Sequence, residues 1–518
     1  MPLRVYNTLS RQKEDFQTVE PGKVKMYLCG PTVYKPSHIG HMVGPVIFDT
    51  IKRYLAYSGY QVTWVVNITD VDDKIINRAK ELNTTMAAVA KEVEQDYFDN
   101  LKTMGVDSID HFPRATEHIR EMHDIIATLI EKGYAYPLDG DVYFDCTKDA
   151  DYGKLSRRSL EEMLAGTRAE VVEGKKHPAD FALWKGAKPG EPAFDSPWGP
   201  GRPGWHIECS AMARKILGDE IDIHGGGLDL MFPHHENELA QSESCTGKPF
   251  ARYWLHNGLM QASGQAGKVG GAHDKRGDLM AEKLEQEVAK LSKSTGAGPF
   301  KELLKVHDAE TIRFFLLATH YRSPIDFSDE RLRETATSLE GFYRLFETFE
   351  RISGKSFYDL PAPKTRREAE GAYPVGSSDF EQDVAALRSR FLDAMDDDFN
   401  TGAAVGVLFD LRKTLNSFIS EQKLDQGTAN AEAVAALTAG MTVLKELSNI
   451  LGVFRKPKAR SGGADDALVD GLMQLILQIR ADARKAKNFA VADLIRNKLA
   501  ELKIVVEDRP DKTLWRRG

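Results

Sequence analysis

Between residues 23 and 101 the chain alternates short β-branched, aromatic runs with stretches of helical spacing, and no other feature constrains its fold as much. Lys23-Val24-Lys25-Met26-Tyr27-Leu28-Cys29 alternates and then meets Gly30-Pro31, which predicts a strand ending in a loop. Apolar residues recur at helical spacing from Val43 to Tyr57. Tyr60 to Ile68 is again strand-like, and Lys74 to Leu101 reads as one helix. A β-α-β-α order predicts an α/β, doubly wound parallel sheet of Rossmann-like type, whose ligands sit beyond the carboxyl ends of strands. Cys29 to His41 and Asn67 to Asp73 fall there, so the active site is expected at these two loops.

Beyond the first half of the sheet domain (1–133), composition divides the chain. Residues 134–204 hold short β-like pieces, Asp139-Gly140-Asp141 and the Pro/Gly cluster Pro197 to Gly201, and read as an inserted connective domain. The α/β signal returns over 205–260. Residues 261–289 read as an extended loop or insertion: Ala262 to Gly277 is rich in Gly, Ala, Lys and Asp and is expected to be mobile, and Asp278 to Ala289 is helix-like. A lysine-bearing region (290–352) and a polar linker (353–378) follow. Residues 379–451 are nearly free of strand signals and predict a helical bundle. A second linker (452–465) precedes a small C-terminal domain (466–518).

At 518 residues, about three or four domains are expected. Lys+Arg 69 against Asp+Glu 77 gives −8, and 42% hydrophobic with 28% charged residues excludes a disordered, collagenous or disulfide-rich chain. Net acidity excludes a uniformly basic surface but not a local basic patch. Only Cys29, Cys146, Cys209 and Cys245 occur, which suits a reducing, cytoplasmic location and reactive or metal-bound thiols. Met1 to Tyr6 lacks the charged-then-apolar pattern of a signal peptide, and no run of about 18 apolar residues suggests a membrane span.

Two strings carry the chemistry. Pro36-Ser37-His38-Ile39-Gly40-His41 falls where the first strand enters the first helix. A helix N-terminus with imidazole donors suits phosphate oxygens, and Gly40 lets a ring approach the backbone. Alone, the string is equally compatible with loop histidines in a tight turn. Lys290-Leu291-Ser292-Lys293-Ser294-Thr295-Gly296 reads, alone, as a solvated turn. Together they resemble the two signatures of class I aminoacyl-tRNA synthetases. Tyr27 to Tyr34, Asn67 to Lys74, Gly204 to Met212 and Asp222 to Gly227 through Glu238 are, in that order, similar to strings of the cysteinyl-tRNA synthetase family, and the resemblance runs the length of the chain.

The resemblance implies ATP-dependent activation of L-cysteine and its transfer to the 3′ end of tRNA(Cys). His38, His41, Lys290 and Lys293 would be catalytic. His38, Gly40, His41, Gly225, Gly226, Gly227, Asp229 and Lys293 would hold ATP with Mg²⁺, and Thr69 and Trp205 would lie near the amino acid. His234 and Glu238, spaced i and i+4, share a face if Pro233 opens a helix, although alone such a pair is more often a surface ion pair or cap. With Cys29 and Cys209 they resemble the family's zinc site, one Zn²⁺ per chain selecting the substrate thiol. Cys146 and Cys245 match no family string and read as buried small residues.

Asp470 to Gly518 carries eleven Lys/Arg against seven Asp/Glu. It is similar to the family's anticodon-binding end, with Arg484, Lys485, Lys487, Trp515 and Arg516 as candidate tRNA contacts, while a solvated amphipathic helix is the alternative. A monomer is expected. The string departs from the family at Met42-Val43, Leu291 and Thr295-Gly296-Ala297, and 261–289 exceeds the family's usual length there. The remaining alternatives are a related ligase that transfers cysteine to an aminosugar, and a zinc- and nucleotide-binding regulator without turnover.

Overall fold

The structure, a computed structural model, describes residues 2–162, 174–188, 190–262, 299–372, 378–426, 430–458, 464–502, 504–508 and 513–517. The lysine string at 290–296 and nearly all of the 261–289 insertion lie outside the described residues. Two compact units are present, one of residues 1–419 and 434–455 and one of 420–433 and 456–518.

The first unit opens with a hairpin of β1 (Arg4–Asn7) and β2 (Gln12–Asp15). Strand β3 (Lys23–Leu28), helix α1 (Gly40–Tyr57) and strand β4 (Gln61–Val66) realise the expected β-α-β order. The single helix expected from Lys74 to Leu101 is two: α2 (Asp73–Glu81) and α3 (Met86–Thr103). The reason is local. Asn83 takes a left-handed backbone (φ 50), and the Thr85 hydroxyl accepts from the Ala88 N–H, capping a new helix.

Helix α4 (Ile119–Glu131) leads into an antiparallel sheet of β5 (Ala135–Leu138), β6 (Asp141–Phe144), β7 (Phe181–Gly186) and β8 (Gly201–Pro203), all within residues 134–204. The chain returns to the main sheet through α5 (Trp205–Leu217), β9 (Ile221–Gly227), α6 (His234–Thr246) and β10 (Ala251–Asn257). The main sheet is parallel with order β10-β9-β3-β4. Strand order reverses at β3, so a crevice opens beyond the carboxyl ends of β3 and β9. Tyr27, Val65, Ile207, Cys209, Leu239 and Trp254 share the core formed where α4, α5 and α6 meet this sheet.

Strand β11 (Met260–Ala262) pairs in parallel with β12 (Ile325–Phe327), bracketing α7 (Phe300–Leu303) and α8 (Ala309–Leu317). Helix α9 (Asp329–Ser353) follows. The polar linker is more structured than its composition suggests: it contains helix α10 (Arg366–Ala372), and Phe357 is buried, stacked on Phe346 at 3.9 Å between centroids. Leu360 and Ala369 are buried as well, and Arg366 donates to Tyr54 and Asp396, so a few side chains pin a mostly polar stretch. The helical region consists of α11 (Asp379–Asp396), α12 (Thr401–Glu421) and α13 (Ala431–Leu451). Helix α13 is long and apolar enough to cross a membrane by composition, but Leu437, Met441, Leu444, Leu447 and Leu451 on one face are fully buried in the protein.

The second unit contains α14 (Ala464–Lys485), α15 (Phe489–Glu501) and a hairpin of β13 (Ile504–Asp508) and β14 (Thr513–Arg517). Met473, Leu499 and Val506 form its small core.

Candidate active site

The end of β3 delivers Cys29 to the crevice. Its backbone N–H donates to the Gly225 carbonyl, so the loop after β3 stays zipped to β9. Gly30 follows because nothing larger fits: a Cβ there would lie 1.8 Å from the Asn67 carbonyl oxygen. From the other side, Pro233 does precede a helix, and on α6 the i, i+4 pair His234 and Glu238 projects from one face. Cys209 comes from the second turn of α5.

These elements bring Cys29, Cys209, His234 and Glu238 together, with one ligand atom from each within 4.8 Å of the others. Cys29 Sγ lies 3.8 Å from Cys209 Sγ, 3.5 Å from His234 Nε2 and 3.3 Å from Glu238 Oε1. A tetrahedron with metal–ligand bonds of ~2.0–2.3 Å separates its corners by ~3.3–3.8 Å, so these spacings and this soft-plus-nitrogen donor set fit Zn²⁺. His234 Nε2 and Glu238 Oε1 are closer, at 2.9 Å, as an ion pair.

The charge states follow from burial and crowding. Burial pushes the Cys29 thiol well up, with the neighbouring Cys209 adding to it. Burial also raises Cys209, but its hydrogen bonds with Cys29 and His234 outweigh this and bring it to about 6. Burial lowers His234, while Glu238 and Cys209 raise it more, to about 10. A proton therefore sits on His234 where a cation would otherwise balance the carboxylate, and metal binding must release it.

Groups behind the ligands were not singled out from the sequence. His206 Nδ1 lies 2.9 Å from His234 Nδ1, and His224 Nε2 lies 2.8 Å from Glu238 Oε2. Cys29, His224, His235 and Glu238 form a second, overlapping group of metal-type donors. His206 and His224 stand inside the strings Gly204–Met212 and Asp222–Gly227, and His206 is also three residues before Cys209 on one helix, so the signal was present. Cys146 and Cys245 are buried.

Trp205 is 39% exposed and stacks on His234, one of the four candidate ligands, with centroids 4.3 Å apart. Thr69 is buried, and its hydroxyl is already engaged: it donates to Glu208 Oε2 at 3.0 Å and accepts from Asn67 Nδ2 at 3.3 Å. Helix α2 is capped by the Asp72 side chain, which accepts from the Lys74 N–H, and not by Thr69.

His38 and His41 stack with centroids 3.9 Å apart. His38 Nδ1 accepts from the Gly40 N–H and His41 Nδ1 from the His38 N–H, so each neutral ring carries its proton on Nε2 as a donor. Burial, helped by His38, holds His41 down at about 3, hence neutral at physiological pH. A Cβ on Gly40 would lie 2.8 Å from the His38 ring.

Packing also requires glycine at Gly225 and Gly226. The space beside Gly225 is filled by Phe48, 2.0 Å from a Cβ, and that beside Gly226 by His235 at 2.7 Å. Both glycines let α1 and α6 close on β9. Asp229 is exposed just past β9. Lys290 and Lys293 lie outside the described residues.

In the second unit Arg484 pairs with Asp508 at 2.9 Å, and Lys485 and Lys487 are exposed. Trp515 is partly buried against the Met473, Leu499 and Val506 core, which limits its surface for base stacking. Arg516 lies on β14.

Comparison with known proteins places this geometry. The family model for tRNA synthetases class I (C) catalytic domain matches residues 15–268 and 279–337, the DALR domain 390–455, and the cysteinyl-tRNA ligase anticodon binding domain 471–516. The chain is 47% identical to a cysteine–tRNA ligase of Heliobacterium modesticaldum and 45% identical to one of Symbiobacterium thermophilum, each alignment covering 100% of both chains. In fold it resembles a Mycobacterium tuberculosis methionyl-tRNA synthetase in complex with methionyl-adenylate, with TM-score 0.57 at 15% identity over 83% of this chain and 90% of that one.

Proposed function

The chain belongs to the cysteine–tRNA ligases, class I aminoacyl-tRNA synthetases, and on that basis we propose which residues carry each part of the reaction. The aminosugar ligase and the regulator without turnover are not favoured: the match spans the whole chain, anticodon-binding domain included. Activation needs no protein nucleophile. The cysteine carboxylate attacks the α-phosphate of ATP, forming the mixed anhydride and expelling pyrophosphate, and a ribose hydroxyl at the tRNA 3′ end then displaces AMP. The protein therefore contributes position and charge stabilisation.

His38 and His41 donate from Nε2 to phosphate oxygens, and Lys290 and Lys293 neutralise the triphosphate as pyrophosphate leaves. Asp229 accepts from the ribose, Gly227 and Gly40 leave room for the nucleotide, and Mg²⁺ accompanies ATP. Cys29, Cys209, His234 and Glu238 would hold one zinc ion, and their convergence is the observation that carries the reading. When bound, Zn²⁺ supplies a soft centre that takes a thiolate and disfavours a serine hydroxyl, a distinction that shape alone makes only ~10²-fold. Trp205 walls the amino-acid position, and Thr69, held by Glu208, supports it from the β4–α2 loop. Basic residues of 466–518, among them Arg484, Lys485, Lys487 and Arg516, contact tRNA, with Trp515 at their edge. Residues 134–204 remain the proposed connective insert. The four unpaired cysteines support a cytoplasmic protein, proposed as a monomer.

Pyrophosphate exchange with cysteine and with serine tests this. Exchange should require cysteine, and Lys293→Ala should slow it while cysteine affinity stays within about twofold. Equal exchange with serine in zinc-loaded protein would sink the assignment of selectivity to the four-ligand site.

A further inference from the structure

Ser37 stands immediately before His38, and its peptide is gripped from two directions. Its N–H donates to Asp96 Oδ2 of α3 at 2.9 Å, and its carbonyl accepts from the Phe300 N–H of α7 at 2.8 Å. The Asp96 carboxylate is itself held. Oδ2 also accepts from Asn100 Nδ2 at 3.0 Å, and Lys301, the residue after Phe300, pairs with Oδ1 at 2.9 Å while lying 3.9 Å from Asp99. Ser37 is buried and the Asp96 side chain is 12% exposed, so these bonds are made where water competes little.

A carboxylate is a costly choice behind a turn that receives phosphate, because its charge repels ATP. Lys301 offsets that charge, and what remains is a fixed acceptor for one backbone N–H. The turn has use for one. Ile39 stands at the capping position of α1 and supplies no side-chain cap. The two histidine rings are tied to each other through the bonds from the Gly40 N–H to His38 and from the His38 N–H to His41, so the pair turns as the Ser37 peptide turns. We propose that Asp96 is a positioning residue for adenylation: its bond to the Ser37 N–H, set by Lys301 and opposed by the Phe300 bond, aims the Nε2 donors of His38 and His41 at the phosphates. The proposal rests on the reading of these two histidines as phosphate donors given above. Reacting groups displaced by ~1 Å lose ~100-fold in rate, and the loss falls on the chemical step rather than on cysteine binding.

The test is the single-turnover rate of cysteinyl-adenylate formation in the full chain, with circular dichroism checking the fold. Asp96→Ala should slow it by ~30-fold while cysteine affinity stays within about twofold, and Asp96→Asn, which keeps an acceptor for the Ser37 N–H, should recover most of the rate. Lys301→Met, at a half-exposed position, should cost ~3-fold and serves in its place if Asp96→Ala does not fold. Each change is repeated in a chain carrying His38→Ala and His41→Ala. A residue that acts through the two histidines has little left to disturb there, so the further loss from Asp96→Ala should be under ~3-fold and that from Lys301→Met should vanish. A full loss in both backgrounds means a general weakening of the fold and overturns the proposal, as does an unchanged rate in Asp96→Ala or an asparagine variant as slow as the alanine one. If the two histidine changes alone leave the rate unchanged, the phosphate-donor reading itself fails, so the two failures are distinguishable.

Discussion

Single side chains in this protein take their charge state from one or two neighbours. His41 stays neutral because burial and His38 both disfavour its charge, whereas His234 holds a proton because Glu238 and Cys209 lie against it. Asp508 is the simplest case. The hydrogen bond from Arg480 is the largest cause that lowers its carboxyl to about 2, and Arg484 adds to it. A carboxyl depressed from 3.8 contributes stability that is complete above about pH 4 and is lost as pH falls toward 2. Asp508 is about a third exposed, which screens the pair and leaves ~1 kcal/mol. Asp508→Asn should therefore speed amide exchange in β13–β14 by about fivefold at pH 7 and by progressively less below pH 4. An equal effect at pH 7 and pH 3 would show that the ion pair is not the cause. Sequence marked Arg484 as a tRNA contact; that it also braces a hairpin depends on Asp508, 24 residues away, and no local pattern reports such a partner.

At the level of elements, α1 does more than present His41 at its first turn. Asp49, buried in its middle, accepts from Arg53 at 2.7 Å, from Ser108 Oγ at 2.9 Å and from Arg313 of α8. Arg313 is fully enclosed and also donates to the carbonyls of Leu451 at 2.9 Å and Met104 at 3.2 Å. Farther along α1, Tyr54 and Tyr57 meet Asp396 and Glu446. One helix thus ties the parallel sheet to the helical region. Removing one partner of a buried ion pair leaves a stranded charge, so Arg313→Met should lower the unfolding free energy of the first unit by ~3 kcal/mol. Urea midpoints followed by tryptophan fluorescence check this, and a change under ~1 kcal/mol would mean that Arg53 alone satisfies Asp49. The elements themselves were largely legible, since strand alternation and helical spacing are local. The break between α2 and α3 was not, because apolar periodicity runs through Leu82 to Thr85 and only the Asn83 backbone and Thr85 cap interrupt it.

Over the whole molecule, every adenylation residue named above precedes residue 295, and the second unit has its own core. Deleting 456–518 should leave cysteine-dependent pyrophosphate exchange within about twofold while raising the Michaelis constant for tRNA by at least ~10-fold. The intact chain's tRNA affinity should also fall more steeply with salt than the truncated chain's, because every phosphate that a basic side chain neutralises releases a counterion. An unchanged Michaelis constant in the truncated, folded protein would mean that the positive charge of this segment is only a solvated face.

Local patterning was enough to establish the alternation of strands and helices, the order of the motifs and the types of residue at the site, because each is written in a few consecutive positions. Which of those residues meet is a property of the folded chain. Cys29 and Cys209 are 180 positions apart, and their 3.8 Å approach depends on the parallel register of β3 with β9 and on α5 packing beside α6. The same packing gives the Thr69 hydroxyl to Glu208 and fills the space at Gly225 with Phe48. Meetings of this kind arise from the summed burial of apolar surface along whole elements, so they have no signature at any single residue.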